Sequence, residues 1–348
     1  MSYTNGLDKP SDYFNTKLYT GTGSAQSITG VGFQPEMSWF KQRNTTRGHV
    51  LEDIVRGAGN ALFPHDSSSE TAGGYYLTSF DSDGFTLPSS NVGTNENSGT
   101  YASWNWLAGG TASSNTDGSI TSSVSANTTA GFSVVTTTGT GSNATIGHGL
   151  GAAPAMIIGK RRDSGSSDWR VYNKNLSSNS HILFLNNTNA EQSGNSATWN
   201  NTAPTSSVFS VGTSGDVNAS GGTFVFYCFA DVKGYSKFGS YTGNGSTDGT
   251  FVYTGFKPAM VMGKSISGED WWIFDNKRDT FNLTQKKLRP NSTAAENDNA
   301  SKGIDLLSNG FKLRNSNGEF NSSGTTYIYM AFAEAPFVNS NGVPCNAR

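Results

Sequence analysis

The chain has 348 residues, of which 42 are Gly, 14% are charged and 12% are aromatic, too aromatic for a disordered chain of this polarity. Ten prolines and glycines without a three-residue period exclude collagen. A formal charge of -2 with no basic run beyond Arg161-Arg162 or Lys286-Lys287 gives no electrostatic case for nucleic acid or an anionic membrane.

In chain order, Met1 to Gly6 lacks the basic stretch and apolar run of a secretory signal. Three segments then open alike: Thr20-Gly21-Thr22-Gly23-Ser24, Thr138-Gly139-Thr140-Gly141-Ser142 and Thr242-Gly243-Asn244-Gly245-Ser246. Each is followed at nearly constant spacing by a proline (Pro35, Pro154, Pro258), and at fixed spacing from it by a methionine (Met37, Met156, Met260) and a lysine (Lys41, Lys160, Lys264). A second anchor reads Ser82-Asp83-Gly84-Phe85 in the first copy and Ser308-Asn309-Gly310-Phe311 in the third. The middle copy has Ser206-Ser207-Val208-Phe209 there, without the glycine. Each copy closes on an aromatic strand: Tyr101 to Trp106, Phe224 to Phe229, Tyr327 to Phe332. Several anchors at nearly constant spacing define three repeats.

Strand signals are plentiful and no 3.6-residue apolar period persists for three turns. The expected fold class is all-β: three tandem antiparallel β-sandwich domains of jelly-roll, lectin-like type. The anchors divide the chain into a leader (1–16), repeat 1 (17–110), a Ser/Thr/Asn-rich linker (111–128), repeat 2 (129–233), repeat 3 (234–337) and a tail (338–348). Alternate residues of a strand share a face. Ala102, Trp104 and Trp106, Val225, Tyr227 and Phe229, and Ile328, Met330 and Phe332 are thus expected to fill the interior of each sandwich.

Tyr19 to Ser24, Ser79 to Phe85, Trp104-Asn105-Trp106, Gly239 to Gly245 and Tyr327 to Glu334 resemble a tandem-repeat family of marine bacteriophages, described as virion structural proteins. The resemblance covers nearly the whole chain. It implies sandwich units similar to concanavalin-type lectins and a place on the outer surface of a virion made in the bacterial cytoplasm. Three modules per chain and a low charge lead to the expectation of a head fibre, decoration or tail appendage that contributes to host-surface or glycan adhesion. The implied partners are other virion proteins, further copies of the chain (trimers are common in fibrous virion parts) and host polysaccharide, with no nucleic acid and no membrane insertion. A cement or scaffold protein without a ligand is the alternative reading, and a polysaccharide depolymerase the third. No functional residues come with the resemblance.

Catalytic signals are absent from the sequence: no His-Glu-x-x-His, no Gly-x-Ser-x-Gly elbow, no dinucleotide fingerprint. Gly263-Lys264-Ser265 lacks the earlier glycine of a phosphate loop, having Pro258 there. Asp81-Ser82-Asp83-Gly84 lacks the later ligands of a calcium loop. His49, His65, His148 and His181 are scattered, so no metal, cofactor or enzyme activity is expected. Cys228 and Cys345 form no framework.

Matching Asn173-Lys174 to Asn276-Lys277 places Val50, Trp169 and Trp272 in one buried column. It places His49, Asp168 and Trp271 in its solvent-facing neighbour. These three are the candidate ligand-binding or interface residues, with Trp271 as a ring for stacking on a sugar or subunit. On this alignment Tyr172 stands where the other copies have Asp53 and Asp275, and the pairs Asp53–Arg56 and Asp275–Arg278 are read as surface ion pairs. Leader and tail, through Tyr3, Tyr13, Phe14 and Phe337, are the attachment candidates.

Overall fold

The computed structural model describes residues 6–89, 91–193 and 196–346. Antiparallel strands dominate, and the α-helices are single turns at Ser196–Trp199, Gly215–Asn218 and Gly318–Asn321. No helix among the described residues is long and apolar enough to cross a membrane.

Each repeat builds a main sheet in the same order. Its opening strand (Phe14–Thr20, Phe132–Thr138, Ser236–Thr242) pairs with the closing strand (Thr100–Trp106, Thr223–Phe229, Thr326–Pro336). The closing strand pairs in turn with the methionine strand (Met37–Gln42, Met156–Arg161, Phe256–Ser265). That strand pairs with a fourth (His49–Asp53, Arg170–Asn173, Trp272–Asp275). A smaller sheet lies opposite, formed in repeat 1 by Gln26–Thr29, Gly84–Leu87 and Ser79–Asp81.

The shared opening motif has a structural cause. A Cβ on Gly21, Gly139 or Gly243 would lie 2.2 or 2.3 Å from a backbone carbonyl oxygen, so only glycine fits. The second glycine of each motif has φ near +70°. A buried asparagine, Asn95, Asn218 or Asn321, then fastens each loop. Its Oδ1 accepts the backbone N–H of Thr22, Thr140 or Asn244 at 2.8–3.0 Å.

The face assignment of the closing strands requires correction. One face does enter the repeat's own interior: Phe224, Phe226 and Cys228 pack with Phe209 and Val211 of the smaller sheet. Tyr327, Tyr329 and Ala331 do the same with Phe311 and Leu313. The face read as the sandwich interior, however, faces the other two repeats. Trp104, Trp106, Tyr227, Phe229, Met330 and Phe332 lie in a single central core with all three anchor methionines. The equivalent residues Trp106, Phe229 and Phe332 meet there, their ring centroids 5.6, 6.1 and 6.4 Å apart. Period-2 patterning shows which residues share a face, but a sheet buried on both sides has no solvent face to distinguish them.

Two boundaries change as well. Residues 111–128 are no free linker: Ser113–Asn115 and Ser122–Asn127 are strands that extend the repeat 2 sheet beyond its opening strand. The leader contributes Leu7 and Phe14 to the central core, and the opening strand of repeat 1 begins at Phe14, inside the segment 1–16.

Phe332 touches Phe14 and Trp106 of repeat 1 and Phe229 of repeat 2. Phe332→Ala is expected to cost about 3–5 kcal/mol and to lower one calorimetric transition shared by all three repeats. Three separate transitions, with only the last displaced, would contradict a common core.

Candidate functional site

The fourth strands carry the candidate residues, and their register decides what those residues do. Met37 pairs with Asp53, Met156 with Asn173 and Met260 with Asp275. Asn173, not Tyr172, is therefore the counterpart of the two aspartates, and the true column is His49, Trp169, Trp271. The alignment on Asn-Lys slipped by one residue, which exchanges the two faces of a strand. Trp271 is 1% exposed and His49 0%. Neither side chain is available to stack on an external sugar, and both belong to contacts between repeats.

Those contacts form a closed ring. Trp169 Nε1 of repeat 2 donates to Phe63 O of repeat 1 at 2.9 Å. Trp271 Nε1 of repeat 3 donates to Phe184 O of repeat 2 at 2.7 Å. His49 Nε2 of repeat 1 bonds Arg289 O of repeat 3 at 2.8 Å. His49 Nδ1 accepts from Trp39 Nε1, so its Nε2 carries the proton. Burial, reinforced by Lys41 and His65, pushes the His49 pKa well below the ordinary value and keeps the ring neutral.

A second ring runs through glutamates that the sequence reading missed. The backbone N–H of Glu70, Glu191 and Glu296 donates at 2.8 Å to the carbonyl of Arg162, Ile266 and Arg43 respectively, each in the neighbouring repeat. Glu70 receives Arg162 through two bonds of 2.9 and 2.7 Å and Arg56 at 2.8 Å. Glu296 receives Arg43 and Arg278 in the same way. Burial raises both carboxyl pKa values, but the guanidiniums overcome it and hold each below its ordinary value. At the third junction both arginines are gone: Leu176 and Ile266 occupy their places, and Glu191 turns to His181 Nδ1 at 2.6 Å and to Ser177. The signal was a glutamate in every repeat, at a spacing too variable to align by eye.

The pairs Asp53–Arg56 and Asp275–Arg278 are fully buried, not surface pairs. Each aspartate also takes a donor from the next closing strand, Tyr227 OH at 2.7 Å to Asp53 and Trp104 Nε1 at 3.1 Å to Asp275. Asn173, Leu176 and Met330 replace the set at the third junction. Lys41, Lys160 and Lys264 are buried too. They donate to backbone carbonyls, Lys160 reaching Ser67 O of repeat 1 and Lys41 reaching Thr293 O of repeat 3. Burial pushes all three down to about 8. A lysine spent on its own strand's surroundings is no phosphate-loop lysine.

The remaining candidates are dispersed. Asp168 is half-buried and accepts Asn186 Nδ2 at 2.7 Å. Tyr3 lies outside the described residues. Tyr13 packs edge-on against Tyr235. Phe14 is 1% exposed and stacked on Phe332, so it is a core residue and no attachment point. Phe337 is half-buried and lines an open cavity of about 500 Å³ with Lys237 and Tyr253. Leader and tail meet, Asp8 Oδ1 accepting Ser340 N–H at 2.8 Å. Asp83 of the supposed calcium loop accepts the N–H of Gly30 and Gly32 and staples a turn. Among the described residues no three His, Cys, Asp or Glu side chains are grouped to hold a metal ion. Cys228 is buried, and burial pushes its thiol far up.

One carboxyl stands out chemically. Glu52 occupies the column of Tyr172 and Phe274, and burial lifts its pKa to about 7 against a hydrogen bond from Gly59 N–H. Its Oε1 has no hydrogen-bond partner among the described residues.

The class defined by this geometry is an all-β chain whose repeats close around one core, their recurrent polar residues used to join them. Residues 9–336 match the model of a domain of unknown function, DUF7483, and the chain belongs to that family. No curated protein matches it, and no solved structure does.

Glu70→Gln is expected to destabilise by about 3 kcal/mol, since it strips a partner from buried Arg56. Glu191→Gln, with no arginine to orphan, should cost clearly less. Urea denaturation of the two variants decides, and equal losses would count against the arginine account. The Glu70 and Glu296 pKa values are lowered on folding, so the stability they supply is complete above pH 4.5 and fades as pH falls through their folded values. Glu52 behaves in the opposite sense. Its folded pKa lies above the unfolded value, so its favourable contribution is present below pH 4.5 and lost as pH rises through about 7. Glu52→Gln should therefore raise the melting temperature at pH 8 more than at pH 5, and an equal shift at both would refute the assignment.

Proposed function

We propose that the protein is a non-catalytic structural part of the exterior of a virus particle, with its three repeats serving as one rigid block. The observation that carries this reading is where the recurrent polar residues go. The lysines, aspartate–arginine pairs and asparagines that mark the repeats are buried, the glutamates are half-buried, and all are bound to backbone or to neighbouring side chains. Enzymes keep their recurrent polar groups at a cleft with perturbed pKa values and open access. Here the recurrent lysines and glutamates whose pKa values are shifted sit in or beside the junctions, as a load-carrying part requires. The resemblance of several runs to a family of phage virion proteins supplies the setting, and the lectin-like sandwich reading of each repeat belongs to the same proposal.

The outer faces then present to host polysaccharide or to neighbouring copies, and several copies in one particle convert weak contacts into avidity. The joined leader and tail form one patch, which suits fixing to the particle at one end. Mass spectrometry and antibody labelling of gradient-purified particles are expected to find the chain in stoichiometric amounts and accessible from outside. Its absence from purified particles would defeat the proposal. Particles lacking the chain should adsorb weakly while remaining intact. Fragile particles that adsorb normally would replace adhesion by a cementing role.

A further inference from the structure

Apart from the replaced set at the junction of repeats 2 and 3, the repeats part company at a point on the surface of repeat 1. In repeat 2 the backbone N–H of Trp169 donates to Asn186 Oδ1 at 3.1 Å, and Asn186 Nδ2 donates to Asp168 at 2.7 Å. Repeat 3 does the same: Trp271 N–H donates to Asn291 Oδ1 at 2.9 Å, and Asn291 Nδ2 to Asp270 at 2.7 Å. In repeat 1 the asparagine is His65, whose Nδ1 accepts the His49 N–H at 3.1 Å, and the aspartate is Gly48. The two changes depend on each other. A Cβ at Gly48 would lie 2.2 Å from His65 Cε1, so the imidazole occupies the space that the aspartate holds elsewhere.

Where this paired change falls, the surface opens into a cavity of about 290 Å³. Phe63 and Tyr76 stand in its wall with their rings edge-on at 5.5 Å, and Arg47, His65, Asp66 and Ser68 supply polar groups. His65 is fixed. Since Nδ1 is an acceptor, the neutral ring carries its proton on Nε2, which lies 3.4 Å from Asp66 Oδ2. Burial holds His65 below its ordinary pKa and keeps it neutral near pH 7.

We infer that this opening in repeat 1 is a binding site for a single neutral sugar ring. An aliphatic ligand would strip water from Arg47, Asp66 and Ser68 and give them no hydrogen bond in exchange, which weakens its binding. An anion would meet the Asp66 carboxylate, while Arg47 already faces Glu96 at 3.4 Å. A hydroxyl-rich ring satisfies donors and acceptors together and offers its C–H face to Phe63 and Tyr76. The volume, at the small end for ligand sites, suits one ring. In repeats 2 and 3 an aspartate–asparagine pair stands in place of Gly48 and His65, so one site per chain is expected. The inference gives the adhesion reading a ligand class and a location, and in that sense rests on it.

The test is saturation-transfer NMR on the full chain with glucose, galactose, mannose and N-acetylglucosamine as probes. At least one should bind saturably, with a Kd on the order of millimolar, within reach of a single small site. The double variant Gly48→Asp/His65→Asn rebuilds the pattern of repeats 2 and 3, so it should melt at the wild-type temperature and bind at least tenfold more weakly. If that variant fails to fold, Asp66→Asn on the rim should still reduce affinity at least tenfold. No saturable transfer with any of the four sugars, or retention of affinity within twofold in the folded variants, would overturn the site. Free sugar that binds the chain but leaves particle adsorption unchanged would uphold the site while removing the adhesion reading.

Discussion

The structure depends on three rings, Trp106, Phe229 and Phe332, closing on one another at the centre of the molecule. They hold equivalent places in three closing strands, so their meeting brings three main sheets face to face. The large side chains of that face contribute about 1.5–3 kcal/mol each on burial, whereas a buried ion pair is close to neutral in net stability. The aromatic centre therefore supplies the cohesion, and the charged ring around it supplies the geometry. Removing one partner of a buried pair is costly even where the pair itself adds little, so the outer ring penalises any other seating of one repeat on the next.

That ring is also where the repeats have diverged, and they have done so in matched sets. Two junctions keep an aspartate, its arginine, a hydrogen-bond donor from the closing strand and a second arginine on the glutamate. The junction of repeats 2 and 3 has lost all of these at once, through Asn173, Leu176, Met330 and Ile266. A lone loss would leave a buried charge unpaired, while the complete exchange to uncharged side chains leaves none. The Gly48 and His65 pair follows the same logic on a smaller scale. Neither change fits without the other.

Much of the fold was legible in the sequence because close packing leaves distinct marks. The glycine of each opening motif abuts a carbonyl at a distance no Cβ permits, and alternate large residues marked the closing strands. What period-2 patterning could not say is which of two buried faces belongs to which core. Trp271 shows the limit most clearly. Anchoring on Asn173-Lys174 instead of the Met156–Asn173 pairing moved it by one position, and one position turned a buried junction residue into a supposed sugar platform. Residues 111–128 were misread for a related reason: Ser, Thr and Asn compose both a linker and an edge strand with a solvated face. Glu70, Glu191 and Glu296 act across repeat boundaries, so nothing beside them in the chain announces their role.

A protein made this way separates two demands that usually compete. The repeats' shared residues are committed to the interior, where a change must be matched by its neighbours. Surface positions that make no contact across a junction carry no such obligation. His65 lies at the border between these regimes, one nitrogen bound to the His49 backbone beside the junction and the other turned toward an open cavity. Variation at that border can alter what the surface presents without loosening the three-sheet centre, because the hydrogen bond to position 49 survives whether the acceptor is a histidine or, as in Asn186 and Asn291, an amide. New surface chemistry is therefore most accessible where an inward contact can be kept by more than one residue type.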